Sequence, residues 1–279
     1  MLGVFYAYIL YPLLLWALSR TRKTTKAPSL KDLPDKVLPE MTLFIPAYNE
    51  MGFIDEKIAN SRALNYPRHL LRILWVTDGS DDGTPEYLRG FPGMEVLHEN
   101  RRNGKIGAMN RGMQYVHSPV VVFTDANTYL GRETLMEIAA RFQDERVGCV
   151  AGEKRIEQAG KADAVSSGEG IYWRYESWIK QLEATLGSVV GAAGELFAIR
   201  RELYQPIAQD TLLDDFVISM RIAMQGYHVK YSPRAYALER ASVNIPEEMK
   251  RKVRIAAGGF QTLFRLKGLL NVFRHKYLS

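Results

Sequence analysis

What most constrains this chain is an alternation. Continuous apolar runs that end in polar tips take turns with stretches whose apolar residues recur at helical spacing. Met41–Ile45 is such a run, stopped by Pro46. The stretch 53–64 follows with Ile54, Ile58 and Leu64 at helical spacing. A second run, from Leu71, ends in the acidic, glycine-containing turn 78–84, and the short run 94–99 is a third. Residues 105–117 read as a helix with Ile106, Met109, Met113 and Val116 on one face, residues 120–127 as a fourth strand, and residues 132–143 as another amphipathic helix. Strands that alternate with helices imply an α/β fold with a mostly parallel sheet, and unbroken apolar strands imply that helices cover both faces. Ligands of such sheets bind beyond the carboxyl ends of the strands. The polar tips gather there: Asn49 and Glu50, Asp78, then Asp125 and Asn127.

The chain has 279 residues and 47% apolar composition, enough for a sizeable core. Its net charge of +6 is clustered at Arg20, Arg22, Lys23 and Lys26, at Lys250, Arg251, Lys252 and Arg254, and at Arg265, Lys267, Arg274 and Lys276. Such clusters suit anionic lipid or phosphate, and no recognition motif accompanies them to suggest nucleic acid. Cys149 is the single cysteine, so no intrachain disulfide exists, and its apolar neighbours mark it as a core residue. No G-x-G-x-x-G or G-x-x-x-x-G-K-[ST] is present, which removes the common dinucleotide and P-loop readings.

Residues 2–19 carry no charge. That is near the lower edge of the roughly 17–25 residues that span a bilayer. Basic residues follow, so a membrane anchor helix over 1–19 would leave the rest on the cytoplasmic side of the inner membrane. Residues 20–40, with three prolines and many charges, read as a linker. Residues 41–240 read as the catalytic domain and 241–279 as a basic amphipathic segment at the membrane interface.

Seven motifs then occur in order: PAYNE (46–50), VTDGSDDGT (76–84), NGKIGAMNRG (103–112), FTDAN (123–127), GELFAIRREL (194–203), LLDDFVISMRIAMQGYHVKY (212–231) and RKVRIAAGG (251–259). Together they resemble the processive, membrane-embedded branch of the family-two inverting glycosyltransferases, which includes cellulose, chitin and hyaluronan synthases. The resemblance implies a GT-A-type nucleotide-sugar-binding fold, a UDP-sugar donor and a divalent cation, Mg²⁺ or Mn²⁺. It implies that Pro46, Ala47 and Tyr48 lie along the nucleoside with Glu50 near the ribose. Asp78 would accept from a uracil N–H, and Lys105 would lie beside the base or diphosphate. Asp125 would be the dominant metal ligand. Asn127, where the family usually has an acid, would be a neutral second ligand with lower affinity. Asp215 matches the family's general base, with Asp214 in place of a glutamate. Gly194 and Glu195 fall in the acceptor-sugar segment, where small residues let a backbone approach a ligand. Arg254 matches the arginine of the family's Gln-x-x-Arg-Trp, while Arg251 and Ile255 replace the glutamine and the tryptophan. Both arginines are expected near the diphosphate. The missing tryptophan removes a stacking platform for the acceptor and puts long-chain processivity in question. The aromatics Tyr172, Trp173, Tyr175 and Trp178 read as packing.

The expected activity is sugar transfer to a growing polysaccharide or a glycolipid. The alternatives are transfer of one sugar to a lipid-phosphate carrier, and a non-catalytic nucleotide-sugar-binding membrane adaptor. Membrane lipids, and a membrane partner subunit where further membrane helices are needed, are the expected partners.

Overall fold

The computed structural model describes residues 5–21, 38–157, 164–240 and 245–270. Most of the expected linker, residues 22–37, and the tail from 271 with Arg274 and Lys276 lie outside the described residues, as do the side chains of Tyr172 and Trp173. Eight described strands form one sheet: β1 (Met41–Ala47), β2 (Leu71–Asp78), β3 (Met94–Glu99), β4 (Val120–Thr124), β5 (Thr128–Leu130), β6 (Val147–Glu157), β7 (Leu196–Arg200) and β8 (His228–Arg240). Their order is β3-β2-β1-β4-β7-β6-β8-β5. The helices used below are α1 (Tyr11–Ser19), α2 (Ile54–Ala63), α3 (Thr84–Arg89), α4 (Gly104–Gly112), α5 (Thr134–Phe142), α6 (Ala164–Leu186), α7 (Asp214–Met224) and α8 (Ile245–Arg265).

The sheet is mixed, with six of its eight strands running one way and β7 and β5 opposing them. β3, β2, β1 and β4 run parallel, as do β6 and β8. β7 enters antiparallel between β4 and β6, and β5 lies antiparallel on β8. Apolar periodicity reports a strand and not its direction, so the reversal of β7 had no local signal. It has a consequence for the site. Leu196 pairs with Thr124 and Arg200 with Val120. The amino end of β7, with Gly194 and Glu195 before it, therefore sits on the rim formed by the carboxyl end of β4.

Helices cover both faces, which explains the unbroken apolar strands. One core layer packs Leu43, Ile45, Trp75 and Val122 against Ile54, Ile58, Leu135 and Ile138. The other packs Phe44, Val76 and Phe123 against Met109, Val217 and Ile222. In that layer Phe44, Phe123 and Phe197 are register partners on three successive strands, with ring centroids 5.1 and 4.8 Å apart. Such cross-strand aromatic pairs are the unit of sheet stabilisation. Cys149 is fully buried there, and burial pushes its thiol up out of the reactive range.

No helix among the described residues is long and apolar enough to cross a membrane. The amino-terminal stretch is a five-residue π-helical turn, Tyr6–Leu10, running directly into the nine-residue α1. Among the described residues the structure does not support the anchor-helix expectation. Part of the stretch is an internal packing element: the Tyr11 hydroxyl donates to Glu183 Oε1 at 2.6 Å, and Tyr175 Oη donates to the Tyr8 carbonyl at 2.9 Å.

Candidate active site

The first two tips are tied together by hydrogen bonds. Beyond β1, Asn49 takes a left-handed conformation, φ 54°, which asparagine tolerates. Its amide donates to Asp81 Oδ1 at 2.8 Å and its Oδ1 accepts from Asp81 N–H at 3.1 Å, stitching this turn to the one after β2. Tyr48 is exposed, and the Arg102 guanidinium lies 3.7 Å from its ring centroid. Pro46 and Ala47 are the last residues of β1. Asp78 closes β2 and is buried. Its Oδ2 accepts from the backbone N–H of Asn103 (2.6 Å) and Gly104 (2.7 Å), and its Oδ1 from Arg111 Nη1 (2.9 Å). A carboxylate offers about four acceptor positions, so the chain itself uses three. Asp78 thus organises the start of α4.

The centre of the site is a lysine among three carboxylates. Lys105, on the first turn of α4, lies 3.0 Å from Asp125 Oδ1 and 3.5 Å from Asp214 Oδ2. Burial would lower its pKa, but Asp125, Asp214 and Asp215 outweigh burial and raise it above the ordinary lysine range. Asp214 and Asp215 open α7. Burial and the Asp214 carboxylate push Asp215 up to about 7, against the opposing pull of Lys105 and the Phe216 N–H. That N–H donates to Asp215 Oδ1 at 2.8 Å. Oδ2 faces Gly194: a methyl group built there would lie 3.3 Å from it and 3.7 Å from Lys105 Nζ. The bare glycine leaves space beside the carboxylate.

Glu195 and Arg251, expected on acceptor and donor, are brought together. Arg251 Nη2 lies 2.9 Å from Glu195 Oε1, and the buried Lys154 lies 2.6 Å from the same oxygen. Burial would raise Glu195, but Lys154 and Arg251 hold it below the usual carboxylate range. Glu239 pairs with Lys154 as well. Two helical turns after Arg251, a Cβ on Gly258 would come within 2.5 Å of Leu213 Cγ, so α8 is seated directly on the residue preceding the Asp214–Asp215 pair. Arg254 lies between these two anchor points and is exposed.

The sequence reading placed Asn49 at a strand tip without a role, and missed Arg111, Lys154, Glu239 and Lys57. Arg111 stood inside a quoted motif. Lys57 occupied the apolar face of a helix, three residues after Ile54, which was a usable signal.

The third tip carries oxygens of the kind a divalent cation takes, with Asp125 Oδ1 paired to Lys105. Glu50 is pushed up to about 7 by burial and by the like charges of Asp125 and Asp82, a crowding that a cation would relieve. Asp125 and Asn127 supply oxygen donors of the kind hard cations take. Among the described residues no group of three His, Cys, Asp or Glu could hold a metal alone, so substrate oxygens would complete the shell. Asn127 precedes β5 and caps no helix.

A mixed α/β sheet with flanking helices and this rim fits a GT-A fold. Residues 42–207 match the profile of Glycosyl transferase family 2, more than half of the chain. The chain belongs to that family and is a glycosyltransferase. It is 26% identical over 254 residues to a poly-beta-1,6-N-acetyl-D-glucosamine synthase of Staphylococcus aureus, covering 85% of this chain and 59% of that protein. It is 23% identical over 233 residues to a beta-monoglucosyldiacylglycerol synthase of Trichormus variabilis, covering 80% of this chain and 50% of that one. The chain thus spans little more than half the length of these relatives. Among solved structures, the mannosyltransferase PcManGT of Pyrobaculum calidifontis, in complex with GDP-Man and Mn²⁺, superposes with a TM-score of 0.77 at 25% identity, over 95% of this chain and 74% of that one.

Proposed function

We propose that this chain is a membrane-associated inverting β-glycosyltransferase that moves a sugar from a UDP-sugar to a growing polysaccharide or a glycolipid, on the cytoplasmic side of the inner membrane. The observation that carries the reading is Asp215. A carboxylate lifted to about 7, with one oxygen held by a backbone N–H and the other facing the space at Gly194, suits a general base at neutral pH. Asp215 takes the acceptor hydroxyl's proton as that oxygen attacks the anomeric carbon. The bond from that carbon to the diphosphate breaks, and the electron pair leaves with the nucleotide. Lys105 offsets charge on the diphosphate side. Asp125 and Asn127 would hold the divalent cation, whose chemistry is to neutralise the leaving diphosphate.

Membrane association is supported by α8. Met249, Val253, Phe260 and Phe264 are 59%, 62%, 66% and 71% exposed and lie on the face opposite Arg251 and Gly258. Lys250, Lys252 and Lys267 accompany this stripe, an arrangement that fits an anionic bilayer surface. The names of the two curated relatives support either acceptor class, a polysaccharide or a diacylglycerol lipid.

A second donor reading, GDP-mannose, is favoured by the ligand of the solved mannosyltransferase. Nucleotide release from a panel of UDP- and GDP-sugars, with detergent-solubilised lipid and Mn²⁺, tests both. Release with one donor, lost in Asp215→Asn, supports the reading and names the base. Nucleotide binding without release from any donor, across polysaccharide and lipid acceptors, would overturn it.

A further inference from the structure

Helix α2 carries a lysine where its face is otherwise core. Ile54, Lys57, Ile58 and Ser61 are all buried, and Lys57 is 0% exposed. Lysines are almost never so buried without a paired carboxylate. Among the described residues the Lys57 ammonium bonds neutral oxygens instead: Thr124 Oγ1 at 3.0 Å and the Thr128 carbonyl at 2.6 Å. These are the first and last residues of the turn that carries Asp125 and Asn127. Thr124 and Thr128 also share a hydroxyl contact of 3.0 Å, and Thr128 Oγ1 donates to the Asp125 carbonyl at 3.0 Å. One side chain from below thus ties the end of β4 to the start of β5.

We propose that Lys57 is a positioning residue of the donor site, clamping the Thr124–Thr128 turn so that the Asp125 and Asn127 oxygens face one ligand. The proposal rests on the reading that these two residues hold the donor's diphosphate and its cation. Packing alone does not account for a lysine here. Methionine would fill the same volume without burying an ammonium, so shape alone does not call for lysine. What methionine cannot do is hold the Thr128 carbonyl and Thr124 hydroxyl together.

The test compares wild type, Lys57→Met and Lys57→Arg in three measurements: thermal unfolding, hydrogen exchange of amides 124–128, and titration with UDP or GDP in the presence of Mn²⁺, with bound Mn²⁺ read by electron paramagnetic resonance. Lys57→Met leaves the Thr128 carbonyl without the lysine's donor, so a modest fall in melting temperature is expected. Its turn amides should exchange about tenfold faster, with β1 and β2 unchanged, and nucleotide should bind about tenfold more weakly. Donor KM should rise with little change in kcat, and Lys57→Arg, which keeps several donors, should recover part of the turn's protection. Lower stability with unchanged turn exchange and unchanged nucleotide binding would make Lys57 a core residue only and overturn the clamp. If wild type binds neither nucleotide, the donor reading fails, and turn exchange alone decides the clamp.

Discussion

Asp215 is held where its charged form is disfavoured, and both its chemistry and its cost follow. With its pKa lifted from 3.8 to about 7 by burial and Asp214, it becomes a competent base only as the pH rises through about 7. The transfer rate should climb across that range, and Asp215→Asn should cost about 10²–10⁴ in kcat while leaving nucleotide affinity intact. Stability moves the other way. Between about pH 4 and 7 the folded protein keeps a proton that the unfolded chain has released. Stability contributed by this group is therefore fully present below about pH 4 and is lost as pH rises through about 7. Asp215→Asn should raise the melting temperature at pH 8 and change it little at pH 4, and an equal gain at both pH values would contradict the raised pKa. Asp78 is a buried carboxylate with three partners from the chain itself. Asp78→Asn would leave the Arg111 guanidinium without its counter-charge and set an NH₂ group against donors, so a loss of about 3 kcal/mol is expected in urea unfolding.

Among the elements, α8 does two things with two faces. Its inner face is fixed to Glu195 through Arg251 and to Leu213 at Gly258, while its outer face exposes Met249, Val253, Phe260 and Phe264. Phe260→Ser with Phe264→Ser should leave the melting temperature unchanged, because neither ring is buried. It should reduce co-sedimentation with anionic vesicles several-fold. Loss of binding with wild-type thermal stability would assign the outer face to lipid, and undiminished sedimentation would remove α8 from the membrane reading. Elements with strong periodicity were legible in the sequence. The helix through Ile106 and Met109 and the acidic opening of α7 stand where their patterns place them, while Met113 falls in a 3-10 turn and Val116 in extended chain, all four side chains still buried. What was not legible depended on partners distant in sequence. The reversal of β7 is set by its pairing with β4 and β6. Arg251 meets Glu195 across 56 positions. In the apolar amino-terminal stretch, hydropathy gave no sign of the contacts that Tyr8 and Tyr11 make with α6.

At the scale of the whole molecule, the site is a meeting of segments that share little sequence neighbourhood: the tips of β1, β2 and β4, the entry to β7, and the starts of α4 and α7, under the cover of α8. Lys105 joins these segments, since it pairs with both Asp125 beyond β4 and Asp214 at the start of α7. A donor nucleotide with its cation would bridge the same segments, so its binding should stabilise the fold globally and not only one loop. The binding free energy then adds directly to unfolding, by about 2.7 kcal/mol at a ligand concentration 100 times Kd. The expected result is one cooperative transition, moved upward by the cognate nucleotide with Mn²⁺ and returned most of the way by a chelator. A second transition that splits from the first on ligand addition would mean that α8 and the carboxyl-terminal elements unfold apart from the donor site. In that case the two anchor points at Glu195 and Leu213 would be too weak to make α8 part of the catalytic unit.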